Sequence, residues 1–232
     1  MQDWRAEADH WWAEVLRVPV DAVRTGGVFA LSHVNHVGVV AIDNAANPIV
    51  YGPAEVLPML QSAVPVSTGD LAEGHYLAAS LAPRASRVLG PAWYGYATAR
   101  TLGAAPSRAV RQLGEQDLPL LASLREQTPQ AEREESGTTA LPAFGYFHDG
   151  GLQAVACLGM WHGMPTIGVL THPRARGRGL AGMVVSAAAW EGLNRREVVQ
   201  YRAWRRNTAS IAVALRSGFI HYCDGLVIEL VP

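Results

Sequence analysis

The sequence predicts an α/β chain, a mixed sheet flanked by helices, and three observations carry that prediction. A short apolar run with β-branched residues at 166–170 leads through Pro173 into the glycine-rich Arg176-Gly177-Arg178-Gly179, and helical apolar spacing follows. Two strand-like runs, 144–147 and 153–160, flank His148-Asp149-Gly150-Gly151, a turn sequence. A further run at 198–204 precedes Asn207, which suits a helix N-cap, and a short apolar segment ends at Gly218, which suits the left-handed residue that closes a helix.

Each element has a local reason. Met183, Val184, Ala187 and Ala188 follow Leu180 at offsets of three, four, seven and eight, the buried stripe of an amphipathic helix. Residues 109–113 suit a first strand, 115–128 and 130–136 the first helices, and 220–231, with Asp224-Gly225 as its turn, a closing hairpin. The first hundred residues carry their own pattern: a helix at 3–16, strands at 28–34 and 37–42, and a helix at 54–63. Small residues and a proline interrupt it at Gly103-Ala104-Ala105-Pro106-Ser107, which divides an N-terminal α/β module, 1–105, from a second domain, 106–232. The strand at 37–42, followed by Gly52-Pro53 and an apolar helix, faintly echoes the later strand-turn-helix unit. The module is therefore read as a degenerate copy of the same fold or, more simply, as an α/β cap lining part of a substrate cleft.

Composition bounds the partners. A chain of 232 residues, 49% hydrophobic, can bury more core than one compact unit needs. Nineteen basic against twenty acidic residues give a net charge of −1, which excludes a polyanion-binding footprint, so no nucleic acid is expected. No charged-then-apolar leader and no apolar run of membrane length occur, so a soluble, cytoplasmic protein without a membrane partner is expected. Cys157 and Cys223 make no disulfide framework and read as buried packing side chains. His33 and His36 lack the companions a metal site needs, and no metal is expected. Trp4, Ala8, Trp11, Trp12 and Val15 share one helical face and read as a packing stripe.

The turn at Arg176 describes an anion cradle. A helix's first N–H groups lack intrahelical partners, its dipole favours negative charge, and Gly177 and Gly179 allow close approach. Phosphate is the natural ligand, with Arg176 and Arg178 adding charge.

At these residues the chain resembles the GNAT superfamily of acyl-CoA-dependent N-acyltransferases. The family's signature of Gln or Arg, two residues, Gly, one residue, then Gly or Ala reads here Arg176, Gly179 and Ala181, after Thr171-His172-Pro173. The resemblance covers about 109–232 and is strongest at 166–219. It implies a GNAT-type mixed, mostly antiparallel sheet, and acetyl-CoA as co-substrate with no metal. It also implies direct attack, in a ternary complex, by a primary amine of a small molecule or protein.

The resemblance further implies cofactor contacts at Val169, Leu170, Thr171, Arg176, Gly177, Arg178, Gly179, Leu180, Ala181 and Asn207, with the Thr171 backbone N–H as oxyanion donor. The family's usual proton-donating Tyr is replaced by Ala214, and its early-strand Glu has no counterpart among Met164, Pro165, Thr166 and Ile167. His172 and Tyr222 are the acid/base candidates that remain. A non-catalytic acyl-CoA-binding sensor and a nucleotide- or nucleic-acid-binding module are the competing readings. A homodimer is left open.

Overall fold

In a computed structural model, residues 4–30, 38–43, 49–63, 75–103 and 105–231 are described. They form two compact units: Met1–Trp4, Gly95–Ala203 and Asn207–His221 make the first, and Arg5–Tyr94, Trp204–Arg206 and Tyr222–Pro232 the second. His33 and His36 lie outside the described residues.

The first unit holds a sheet in the order β5 (Val110–Gln112), β6 (Ala143–His148), β7 (Gly151–Trp161), β8 (Met164–Thr171) and β9 (Val199–Trp204), numbered in chain order. Pairing is antiparallel from β5 to β8 and parallel between β8 and β9. This is the mixed, mostly antiparallel sheet expected. A Cβ at Gly145 on β6 would lie 2.6 Å from the side-chain ends of both Leu113 and Leu152, so these leucines would have to shift to admit a larger residue.

Helices cover both faces of this sheet. On one side α5 (Leu118–Glu126) buries Leu121 and Leu124 against Val155, Cys157 and Leu170, and α6 (Gln130–Ser136) lies on β8. On the other side α7 (Leu180–Leu193) packs on β7 and β8, so closely that a Cβ on its Gly192 would come within 3.0 Å of Val199 and 3.3 Å of Leu158. The last helix, α8 (Thr208–Arg216), packs beside α7. Gly218 follows it at φ +94, and the Thr101 carbonyl fills the place a Cβ would take.

The second unit contains β1 (Gly27–Ala30), β3 (Ile49–Gly52), β2 (Gly38–Asp43), β10 (Ile220–Leu230) and β4 (Ala85–Ala97), in that sheet order. Its core gathers Val50, Val56, Leu60, Leu77, Leu81, Leu226 and Ile228. Helix α1 (Trp4–Leu16) buries Ala8, Trp11 and Trp12, and the Trp12 ring meets Tyr94 edge-on at 5.6 Å. Short helices α2 (Val20–Thr25), α3 (Leu57–Ala63) and α4 (His75–Ser80) complete this unit.

The expected closing hairpin is absent. β10 runs unbroken through Asp224-Gly225, where Asp224 pairs with Asp43 and Gly225 with Ile42. Asp224 is buried and accepts a charge-assisted bond from Arg205 at 2.5 Å, so the carboxylate that would have shaped a turn is satisfied within a strand.

One ion pair anchors the start of the first sheet. Arg111 forks onto both oxygens of the buried Asp117 at 2.7 Å each, the Gly114 N–H donates to the same carboxylate, and the guanidinium stacks on Phe147. The Arg111 hydrogen bonds, followed by that N–H, hold the Asp117 carboxyl down at about 2 against an ordinary 3.8. The stabilisation is thus complete above the ordinary value and is lost as pH falls toward the folded one. In urea titrations, the gap between the wild type and Asp117→Asn should close as pH falls from about 4 to about 2.

Candidate functional site

β8 pairs with β7 along its whole length, from Met164↔Trp161 to Thr171↔Ala154. Its ladder to β9 consists of Thr166↔Gln200 and Ile167↔Tyr201 among the described residues, and beyond Ile167 the two strands part. The His172 N–H donates to the Gln153 carbonyl at 2.8 Å, which fixes the phase of alternation. Gly168 and Leu170 therefore direct their backbone groups at β7, while Val169 and Thr171 direct theirs into the opening.

Gly168 explains how α6 reaches this place. The Ser136 carbonyl occupies the space that a Gly168 Cβ would need, so the end of α6 rests on the first β8 residue past the last β9 pair.

The opening leads to the glycine turn. After Thr171 the chain makes a short 3-10 turn, Pro173–Ala175, capped by His172. Gly177 and Gly179 then sit at φ +76 and +77, with nothing within 4 Å of where a Cβ would be. Gly179 is the N-cap of α7 and carries no side-chain cap, so the helix opens on bare backbone N–H groups at Leu180 and Ala181. Arg176, Gly177, Arg178 and Gly179 are exposed, and Leu180 is buried beneath them.

Side chains from 127–136 engage this region at three points. Gln127 meets His172 Nε2 at 2.9 Å, Glu132 accepts from Arg176 at 2.7 Å, and Glu135 accepts from the Asn207 amide at 3.1 Å. The Arg176 guanidinium is therefore already paired with a carboxylate. His172 also accepts from the Arg174 N–H through Nδ1, so its ring carries the proton on Nε2 and both nitrogens are engaged.

Asn207 caps α8 through its oxygen, which accepts from the Ser210 N–H at 3.1 Å, while its amide nitrogen donates to Glu135. Beside it, the buried Tyr201 hydroxyl shares a 2.9 Å hydrogen bond with Ser210, and its ring meets Phe219 edge-on at 5.3 Å. Burial pushes the Tyr201 hydroxyl up to about 12, and the Glu135 charge adds to the rise against the lowering effect of the Ser210 bond.

Of the candidate residues, Val169, Leu170, Thr171, His172, the Arg176–Ala181 turn and Asn207 lie along one path in the first unit. Tyr222 belongs to the second unit, where its hydroxyl donates to Asp9 at 2.7 Å. Burial, and then that bond, push its pKa upward, which commits the proton. Asp9 also accepts from Arg24 at 2.8 Å. Ala214 is fully buried on α8. Gln127, Glu132 and Glu135 were not singled out from the sequence, where 115–128 and 130–136 are read only as helices.

The chain is similar to several solved structures. A protein from Novosphingobium aromaticivorans DSM 12444 assigned to the GNAT acetyltransferase family matches 64% of this chain and 68% of its own, at 23% identity and TM-score 0.52. A GNAT-family acetyltransferase from Colwellia psychrerythraea matches 68% of this chain and 62% of its own, at 15% identity and TM-score 0.49. A GCN5-related N-acetyltransferase from Kribbella flavida matches 66% and 63%, at 13% and 0.49. The chain thus spans less than two thirds of the length of the last two. No family profile and no curated protein matches the sequence. The fold is of the GNAT type.

The two ends of the Asn207 amide have separable effects. Asn207→Ala should lower stability by about 1 kcal/mol through loss of the cap, and Asn207→Ser, which keeps a capping oxygen, should recover most of it in chemical denaturation.

Proposed function

We propose that this chain is an N-acyltransferase that carries an acyl group, acetyl in the first instance, from acyl-CoA to a primary amine. The observation that supports this most is the continuity between two openings: the parted edge of β8 beyond Ile167 and the uncapped glycine turn at the head of α7.

The residues present fit a CoA thioester. Its diphosphate would be held by N–H groups of the turn from Gly177 to Ala181, where the space beside Gly177 and Gly179 is open. Arg178 is exposed beside that turn and would add charge, while Arg176 would have to exchange Glu132 for a phosphate oxygen. Val169 and Thr171 offer backbone donors and acceptors for the amide-bearing arm. A thioester carbonyl against one of these N–H groups gains a preorganised donor as charge builds on oxygen, an effect worth roughly 3–4 kcal/mol in other acyl-transfer enzymes.

The chemistry is then direct attack. The amine nitrogen forms a bond to the acyl carbon, the carbon–sulfur bond breaks with its electron pair on sulfur, and one nitrogen proton is finally carried by the thiol. The amine must arrive uncharged, and the acceptor is a small molecule or an exposed protein amine.

Millimolar acetyl-CoA should raise the melting temperature by preferential binding to the folded state, and thiol should be released when a panel of primary amines is added. Gly179→Trp should remove the thermal shift by filling the turn. Acetyl-CoA that leaves melting unchanged would refute the reading. A shift with no thiol release from any amine would instead identify an acyl-CoA sensor.

A further inference from the structure

We propose that His172 is a positioning residue whose ring sets the glycine turn relative to the edge of β8, an assignment that rests on the acyl-transfer reading above. A CoA thioester would be held at two places, its arm at Val169 and Thr171 and its diphosphate at the turn from Gly177 to Ala181. One ligand engages both at full strength only when their separation is fixed before it binds, because ordering the chain during binding costs affinity. Residues 172–176 are the chain between the two places.

His172 is bonded through every polar group it has. Its N–H donates to the Gln153 carbonyl of β7 at 2.8 Å, and its carbonyl accepts from the Ala175 N–H at 2.9 Å. Its Nδ1 accepts from the Arg174 N–H at 3.2 Å, and its Nε2 donates to the Gln127 side-chain oxygen at 2.9 Å. Pro173 has no N–H, so those of Arg174 and Ala175 are the first donors after the strand, and His172 takes both. Ala175, the last residue of this short turn, is buried. The main chain of His172 thus fastens the turn to the sheet, and its ring fastens the turn to α5.

Gln127 supplies the far anchor. It closes α5, where its backbone N–H donates to the Ser123 carbonyl at 3.1 Å and its side-chain nitrogen to the Ser123 hydroxyl at 2.9 Å. The amide oxygen is thereby turned toward the imidazole. Helix α5 is itself held by Leu121 and Leu124 in the core of the first unit. A ring gripped by a fixed helix on one side and by the turn on the other cannot rotate, so the turn inherits its place from the sheet core.

The same bonds take His172 out of the acid–base role that its residue type suggests. The Nδ1 lone pair is committed to the Arg174 N–H and the Nε2 proton to Gln127. Accepting a proton at Nδ1 would release the Arg174 N–H, and giving one up at Nε2 would release Gln127. Each loosens the turn at the moment it has to hold the ligand.

The test uses the full chain and acetyl-CoA, with Kd measured by calorimetry and turnover by thiol release with tryptamine, putrescine and a lysine-containing peptide. His172→Ala should raise the Kd and KM for acetyl-CoA about tenfold, the scale of the hydrogen bonds lost, while kcat at saturating acetyl-CoA stays within about threefold. His172→Asn should return Kd to within about threefold of wild type, since its amide oxygen can accept from the Arg174 N–H as a capping Asn does. Gln127→Ala, which leaves the turn itself untouched, should raise Kd about threefold and add nothing in the His172→Ala background. A His172→Ala Kd within about twofold of wild type, an Asn variant no better than Ala, or a Gln127→Ala Kd equal to wild type overturns the assignment, and the last of these decides alone if His172→Ala does not fold. A fall in kcat of about 100-fold overturns it too, by marking proton transfer instead. In all of these outcomes wild-type binding of acetyl-CoA leaves the acyltransferase reading standing. Wild-type protein that binds no acetyl-CoA overturns both.

Discussion

The site depends on a single constraint, that β8 must serve two neighbours over unequal lengths. Its bond to β7 is continuous, but its ladder to β9 stops at Ile167↔Tyr201. An edge of backbone N–H and C=O groups facing no strand would be costly in a closed core, and it persists because it opens toward the glycine turn. Gly168 stands at this boundary, and the close seat of Ser136 upon it brings α6 to the place where the strands separate. A methyl group at Gly168 would push the carboxylate-bearing helix away from the opening.

The division of labour between backbone and side chains follows. In the proposed complex, anion recognition would rest mainly on main-chain N–H groups, at Gly177–Ala181 and along β8, because the Arg176 guanidinium is taken by Glu132. The hydroxyls and ring nitrogens near the opening are tied into pairs such as Tyr201 with Ser210 and His172 with Gln127. Such pairing holds the surroundings of the opening in place.

Local pattern made much of the first unit legible. The helix at Gln130–Ser136 and the strands and helices from 143 to 216 agree with the reading to within a few residues, because turn glycines, caps and apolar spacing coincide there. The reading failed where tertiary partners decide. Asp224-Gly225 carries a strong turn signal, yet pairing with β2 and the Arg205 bond keep it extended. The strands Ile49–Gly52 and Ala85–Ala97 were missed, since a short apolar run and a proline-bearing segment have little periodicity of their own. Glu132 and Glu135 were not singled out, because nothing local indicates that residues more than forty positions away will meet them.

The ion pair between Arg176 and Glu132 has one more consequence. A cation whose charge is already balanced contributes little long-range attraction, and the neighbouring amide dipoles act over short distances. Of the two turn arginines, Arg178 is then left to attract an anionic ligand over distance, so ionic strength should influence capture less steeply than two open cations would, with discrimination resting on the fit of the main chain around it.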